Sequence, residues 1–297
     1  MTNEYGMLPV LIEVARVEDI TPHMRRITFA GPGVAEYASV PGRVPNIKLV
    51  FPRENGRLEV PARNGWGRLA WPDPTVKQQV RTYTVRRLDA DAAEMDIDFV
   101  RHGDEGLASG WAERARPGDV IAAAGAGGVT AGEADWYLVV GDETALPAIG
   151  RMLEHLREDA TGVVLIEVAD EAEHQDLRRP DGVEIRWIHR NGAPAGTTDH
   201  LFDAATSIEI PTGDVTRFAW VSAESKTVLA MRKWLRNDAG FDRKSTLVIG
   251  YWRRGMTETG YGRTASSAPS SNSPSATARP CASAPIGDRS TRNCSRA

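Results

Sequence analysis

Cysteine is nearly missing from this 297-residue chain: the two copies, Cys281 and Cys294, both lie in its polar C-terminal stretch. That placement excludes a structural zinc site or a cysteine nucleophile from the folded body, and a reducing, cytoplasmic setting is expected. Long apolar runs are missing too, since no stretch reaches the roughly 18 residues that a membrane-spanning helix needs. Residues 1–6 lack the basic and apolar regions of a secretory signal, so export is not expected. No sign of charge dominates, because 36 Lys and Arg stand against 40 Asp and Glu, for a formal net charge of −4. Nucleic acid and a membrane surface are therefore not expected as bulk partners. The six histidines show no metal-ligand spacing, no G-x-S-x-G nucleophile elbow occurs, and no internal repeat is found.

What is present is a change of rhythm along the chain. Short strands are expected at 10–17, 25–30, 46–51, 80–86, 95–101 and 120–123, with Pro, Gly or polar connections between them. Six strands at that spacing predict a small antiparallel β-barrel over 8–126, with an open sandwich as the alternative. From residue 133 to 256, compact apolar strands at 136–140, 163–168, 184–188, 217–221 and 246–252 alternate with helices expected at 144–157 and 224–237. Buried β-runs alternating with helices imply a mostly parallel α/β sheet covered on both faces. Residues 257–297 are rich in Ser, Ala, Pro, Thr, Arg and Gly, and are expected to be a disordered tail.

Two segments of the first domain attract attention. Arg81, Thr82, Tyr83 and Thr84 put a guanidinium, a ring and two hydroxyls on one strand, and the run from His102 to Trp111 offers small residues at a helix start. Together they suit a flavin dinucleotide, whose ring wants an aromatic wall and whose pyrophosphate wants Arg and backbone N–H donors. Alone, Arg81 beside Tyr83 reads equally as a surface cation–π pair, and Ser109 as an ordinary helix cap. The glycine-rich run 124–128 has no helix pattern after it and reads as a linker. The better nicotinamide-nucleotide loop runs from Gly141 through Asp142, Glu143, Thr144 and Ala145 to Pro147, joining a strand to a helix. Asp142 and Glu143 would repel a pyrophosphate, so a capping role is expected for them. Arg190, just beyond a strand, is a candidate reader of an adenosine 2′-phosphate, whereas Asp170, Glu171 and Glu173 would favour a free ribose. Arg43, Lys48, Arg53, Arg253 and Arg254 are candidate attractors for an anionic substrate, or ordinary surface charges.

In order along residues 8 to 256, the chain resembles the siderophore-interacting protein family, flavin-dependent ferric-siderophore reductases of the ferredoxin-reductase-like superfamily. The resemblance is carried by the 81–84 run, by Asp98 to Gly103 with Phe99 and His102, by Gly106 to Ala112, by Arg116 to Asp119, by Gly141 to Ile149, by Glu167 to Asp170, and by Gly250 to Gly255. It implies an FAD-binding barrel followed by a nicotinamide-binding α/β domain. By that likeness Arg81, Thr82, Tyr83 and Thr84 line the flavin with Phe99 and His102, and Gly106, Ala108 and Ser109 hold its pyrophosphate. By the same likeness Trp252 lies near flavin and nicotinamide, while Asp142, Thr144, Ala145 and Arg190 are candidate nucleotide contacts from their positions on the loop and beyond the strand, with a solvated loop residue as the alternative for Arg190. Arg43, Lys48 and Arg253 would face a ferric siderophore or another ferric chelate. The implied cofactors are FAD and NADPH, with NADH as the alternative donor, in a monomer without stable membrane association. A flavin or ferredoxin/flavodoxin reductase of the same fold, and a non-catalytic siderophore-binding module, are the rival readings. The tail departs from the family, whose members usually continue with a charged helix.

Overall fold

The computed structural model describes residues 9–39, 45–63, 69–104, 106–127 and 131–256; Arg43 and the 257–297 tail lie outside them. The first half contains β1 (Val10–Thr21), β2 (Met24–Ala30), α1 (Pro32–Ala38), β3 (Asn46–Val50), β4 (Ala62–Arg63), β5 (Leu69–Ala70), β6 (Val80–Thr84), β7 (Arg87–Asp89), β8 (Glu94–Val100), α2 (Leu107–Arg114) and β9 (Val120–Gly127). Alternation decides which face is inside: β1 buries Val10, Ile12 and Val14, and β8 turns Met95, Ile97 and Phe99 into the same core. Each such side chain contributes roughly 1.5–3 kcal/mol when fully buried. The opposite face of β8 carries Asp96 and Asp98, both buried but satisfied by Arg87 and Arg26 at 2.7 Å each.

These strands form an antiparallel seven-stranded sheet in the order β6-β3-β9-β1-β2-β8-β7, with β4 and β5 pairing separately. All six expected strands are present, and the seventh is a finding. The run expected as one strand breaks at Val85 and Arg86, where the Val85 N–H donates to Pro45 O (2.7 Å) and the Arg86 N–H to Asp96 O (2.9 Å). One continuous run therefore pairs with β3 through β6 and with β8 through β7, the two ends of the sheet. The reading of 124–128 as a linker is corrected, since β9 continues to Gly127 and pairs Lys48 with Ala124 and Asn46 with Gly127. The register shift between those pairs is a bulge, and small residues that look like a linker are what a bulged strand tolerates.

The second half contains β10 (Trp136–Asp142), α3 (Leu146–Leu153), β11 (Thr161–Val168), β12 (Val183–His189), α4 (His200–Thr206), β13 (Arg217–Glu224), α5 (Ser225–Asn237) and β14 (Thr246–Trp252). Every residue of β10 is buried, as expected of a central strand covered on both faces. One face packs Tyr137, Val139, Val164 and Ile166 against Leu146 and Ile149 of α3, and the other packs Leu138, Val140, Leu165 and Val221 against Leu201 of α4 and Met231 of α5. The five strands are all parallel in the order β12-β11-β10-β13-β14. The chain winds outward from β10 to β12 and then crosses to β13 and β14, so the order reverses between β10 and β13. In such sheets the crevice at the carboxyl ends of the strands flanking that reversal is where ligands bind.

Two polar contacts join the halves. Glu173, buried after β11, accepts from Thr21 Oγ1 (2.5 Å), from the His23 N–H (3.1 Å) and from His23 Nδ1 (2.6 Å) at the β1–β2 turn. At the end of α3, Glu154 pairs both oxygens with Arg86 (2.6 and 3.1 Å), and Arg151 Nη1 donates to Val85 O at 3.0 Å. Met24 of β2 packs into the core of the second half with Ile20 and Val100 beside it. Among the described residues no helix is long and apolar enough to cross a membrane.

Candidate functional site

The first cluster grows from β6. Tyr83 packs its ring on Phe99 with centroids 4.4 Å apart and sets its edge toward Phe51 at 6.4 Å, so the aromatic wall is anchored in the core. Trp111 of α2 extends this wall, at 5.4 Å from Phe51 and 6.0 Å from Phe99. Arg81 Nη1 donates to Gln78 O and Val80 O, both at 2.8 Å, and Arg81 has no carboxylate partner among the described residues. Thr82, exposed, accepts from Lys48 Nζ across the β3–β6 pair, which puts Lys48 beside Thr82 on the face of that pair opposite the Tyr83 ring; Thr84 is buried.

The second segment meets this wall from α2. Gly106 caps the helix with φ of 86°, a left-handed conformation that disfavours a side chain, and among the described residues no side chain accepts from the first-turn N–H groups. Ala108 is buried. Ser109 is buried as well, and its hydroxyl is spent locally: it accepts from the His102 N–H (3.2 Å) and donates to Gly103 O (2.7 Å). The expected Ser109 contact is therefore narrowed to its backbone, with the side chain holding the preceding turn. A groove of about 520 Å³ lies along that turn, lined by His23, Arg101, His102, Gly103, Asp104 and Glu113 with Pro22. The donor set fits a dinucleotide pyrophosphate, because an arginine without a carboxylate and an uncapped helix start are the groups a phosphate needs.

The third cluster sits at the strand-order reversal. Asp142, at the end of β10, is buried and accepts from the Thr144 N–H (3.0 Å) and Oγ1 (2.5 Å), the Glu224 N–H (3.0 Å) and Trp252 Nε1 (2.7 Å). It holds the turn ahead of α3 rather than capping the helix, whose N-cap is Ala145 with no side-chain bond, and it ties the ends of β10, β13 and β14 together. Burial, and next the charge of Glu143, push the Asp142 carboxyl up to about 7. Ala145 is buried beneath the loop, and Trp252 is half-buried at the end of β14. Arg253, exposed, follows directly on Trp252 at the end of the second sheet, whereas Lys48 lies on β3 of the first.

Arg190 corrects its sequence reading. It is buried and bidentate to Glu143 at 2.8 Å on both oxygens, with Glu167 at 3.7 Å. A guanidinium fork neutralised in this way does not face outward to read a 2′-phosphate. The pairing also eases the objection to a pyrophosphate at this loop, because Glu143 is balanced by Arg190 and burial disfavours charge on Asp142. Two further residues at this crevice were given no site role by the sequence reading. Glu167, the penultimate residue of β11, is raised in pKa by burial and accepts from Thr198 at 3.1 Å. Glu224 ends β13 and accepts from the Lys226 N–H (2.5 Å) and the Arg254 N–H (3.2 Å). The signal was available: each, like Asp142, is an acid at the carboxyl end of an apolar run.

The comparisons agree with this division. Residues 13–130 match the siderophore-interacting FAD-binding domain and residues 134–255 match the siderophore-interacting protein domain, so FAD is the cofactor of the first half. The ferric vibriobactin reductase ViuB of Vibrio cholerae is 33% identical over 265 residues, covering 88% of this chain and 96% of that protein. An NADPH-dependent ferric-chelate reductase of Escherichia coli is 30% identical, covering 81% of this chain and 91% of its own length. The crystal structure of a siderophore utilization protein from T. fusca superposes with a TM-score of 0.75 at 39% identity, covering 84% of this chain and 94% of that one. At 11% identity, a ferredoxin-NADP+ reductase from Plasmodium falciparum superposes with a TM-score of 0.58 over 84% of this chain and 99% of its own, which shows the shared two-domain fold. The chain belongs to the siderophore-interacting protein family.

Proposed function

We propose that the chain is an NAD(P)H-dependent reductase that passes electrons through FAD to a ferric siderophore or similar ferric chelate, releasing iron as Fe(II). The observation that carries this reading is the pairing of a carboxylate-free Arg81 and an uncapped α2 on an aromatic wall, in one half, with a charge-neutralised loop at a strand-order reversal in the other. Residues 8–126 are assigned to FAD and 133–256 to the nicotinamide nucleotide. The 80–89 run, which meets both ends of the first sheet, supports reading that sheet as a barrel wall.

Bound FAD supplies the conversion of one hydride, with its two electrons, into two single-electron reductions, so that NADPH and two Fe(III) give NADP+, a proton and two Fe(II). Tyr83, backed by the buried Phe99, would form the wall against which the ring is held, and Arg81 with the first-turn N–H groups of α2 would neutralise the pyrophosphate. Asp142 fixes the Trp252 indole through Nε1, which holds an aromatic plane at the end of β14 beside the nucleotide loop. Lys48 and Arg253 offer positive charge to an anionic chelate. Iron leaves after reduction because the hard oxygen donors of such chelates hold the lower charge less tightly.

Anaerobic mixing of the FAD-loaded protein with NADPH and then a ferric siderophore should bleach the flavin band and release Fe(II) to a ferrous trap. An unbleached flavin with no trapped Fe(II) rejects the reading. A preference for a protein carrier over the chelate, with steep salt dependence, would move the assignment to a ferredoxin or flavodoxin reductase.

A further inference from the structure

We propose that α3 is a strut that fixes the distance between the nucleotide loop and the flavin strand, and that Arg86, Glu154 and Arg151 are the positioning residues that fasten its far end. The inference rests on the two-cofactor reading above and goes beyond it, because none of these residues belongs to either candidate cofactor site.

The strut has two seated ends. Its start, Leu146, follows directly on the Asp142-to-Ala145 turn, and Leu146, Ile149 and Leu153 are buried against the sheet, so the helix cannot slide on β10. Eight residues at 1.5 Å each carry it about 12 Å away from that loop. Its end meets the two residues that follow Thr84, where the Arg86 guanidinium takes both oxygens of Glu154 and the Val85 carbonyl accepts from Arg151. Gly150 permits this approach, since a Cβ there would stand 3.3 Å from Nε and from Nη2 of Arg86. Val85 and Arg86 are in turn held by the first sheet on both sides, through Pro45 and Asp96.

The position of Arg81 to Thr84 relative to the Asp142-to-Ala145 loop thus runs through one helix, the Arg151–Val85 bond and one bidentate ion pair, with side-chain exposures of 15% for Arg86 and 29% for Glu154. The Glu173 contact at the β1–β2 turn joins the same halves but does not touch β6 or α3. Because a displacement of about 1 Å can cost roughly 100-fold in a transfer step, loosening the α3 end should act on electron delivery more than on binding.

The test compares Arg86→Glu, Glu154→Arg, the swapped double variant, and Glu173→Gln, which keeps an acceptor oxygen at the other contact. Stopped-flow flavin reduction at saturating NADPH is read beside reduction by dithionite, bound FAD per chain and NADP+ affinity. Expected are falls of about 10-fold or more in the limiting NADPH rate for each single charge reversal, recovery to within about 3-fold in the double variant, and a change below about 3-fold for Glu173→Gln. Dithionite reduction, FAD content and NADP+ affinity should stay near wild type. Wild-type limiting rates in the single reversals would overturn the strut, as would an equal fall in Glu173→Gln, which would indicate general docking of the halves. Hydrogen exchange of residues 80–89 in FAD-free protein gives a readout free of turnover: protection should drop in both singles and return in the double, and unchanged protection overturns the proposal. Wild-type protein that binds FAD but is reduced by neither NADPH nor NADH would refute the assigned function instead, while the exchange experiment still decides the strut.

Discussion

Arg81 and Arg190 are the same residue type at the two cofactor regions, and their surroundings make them opposites. Among the described residues Arg81 meets only backbone carbonyls, whereas Arg190 is buried and locked by Glu143 with Glu167 nearby. An arginine can recruit a phosphate only if no carboxylate has already claimed its fork. The first region keeps its positive charge for a ligand; the second spends its own charge on making an acidic crevice habitable. On the proposed assignment, the difference separates a group placed to bind from a group that permits binding.

The largest effect is expected from breaking the locked side. Arg190→Met would leave Glu143 and Glu167 facing each other without a cation in a buried site, and removing one partner of a buried pair costs about 3–5 kcal/mol. Thermal unfolding of the variant should show a correspondingly lower midpoint, whichever nicotinamide nucleotide is present. If Arg190→Met instead left stability intact and selectively weakened NADPH relative to NADH, Arg190 would be a phosphate reader after all.

Next comes the free side. Arg81→Ala removes a charge-assisted contact of about 1.5–3 kcal/mol, so FAD affinity should fall by roughly 10- to 150-fold with little loss of stability. Flavin retention during dialysis reads this directly, and unchanged retention would take Arg81 out of the site.

How far the sequence could foresee this contrast depends on how local each feature is. The five strands of the second sheet were legible because runs such as Leu138 to Val140 are buried on both faces and show as unbroken apolar stretches. The tetrad on β6 was legible because four chemically unusual residues adjoin in sequence. The end of β9 was not, since whether Ala124 to Gly127 pair is decided by β3 rather than by their own propensity. α4 was missed because seven residues burying Leu201 and Ala205 make too short a periodic signal. The Arg190–Glu143 pair and the Arg86–Glu154 pair span 47 and 68 residues, distances over which no spacing rule operates.

The crevice can be probed a third way, through pH. The folded Asp142 titrates at about 7, against roughly 3.9 for an ordinary aspartate, so between those values the folded state keeps a proton that the unfolded chain releases. Asp142 therefore makes stability fall as pH rises from about 4 to 7. Asp142→Asn, neutral throughout, should flatten that slope in denaturant titrations while still accepting from Trp252. A variant whose slope matches wild type would mean that Asp142 is not protonated in the fold.

The smallest effect comes from Ser109, and it divides the flavin region itself into groups that touch and groups that support. Its hydroxyl bonds His102 and Gly103 of the preceding turn and is buried, so Ser109→Ala deletes a local bond worth about 1 kcal/mol while leaving the helix N–H groups in place. FAD affinity should then drop by no more than about 5-fold, through a looser turn, well short of the Arg81→Ala loss. An equal loss in the two variants would mean that the hydroxyl leaves the turn to meet the pyrophosphate, and the line drawn between Arg81 as a contact and Ser109 as a support would fall.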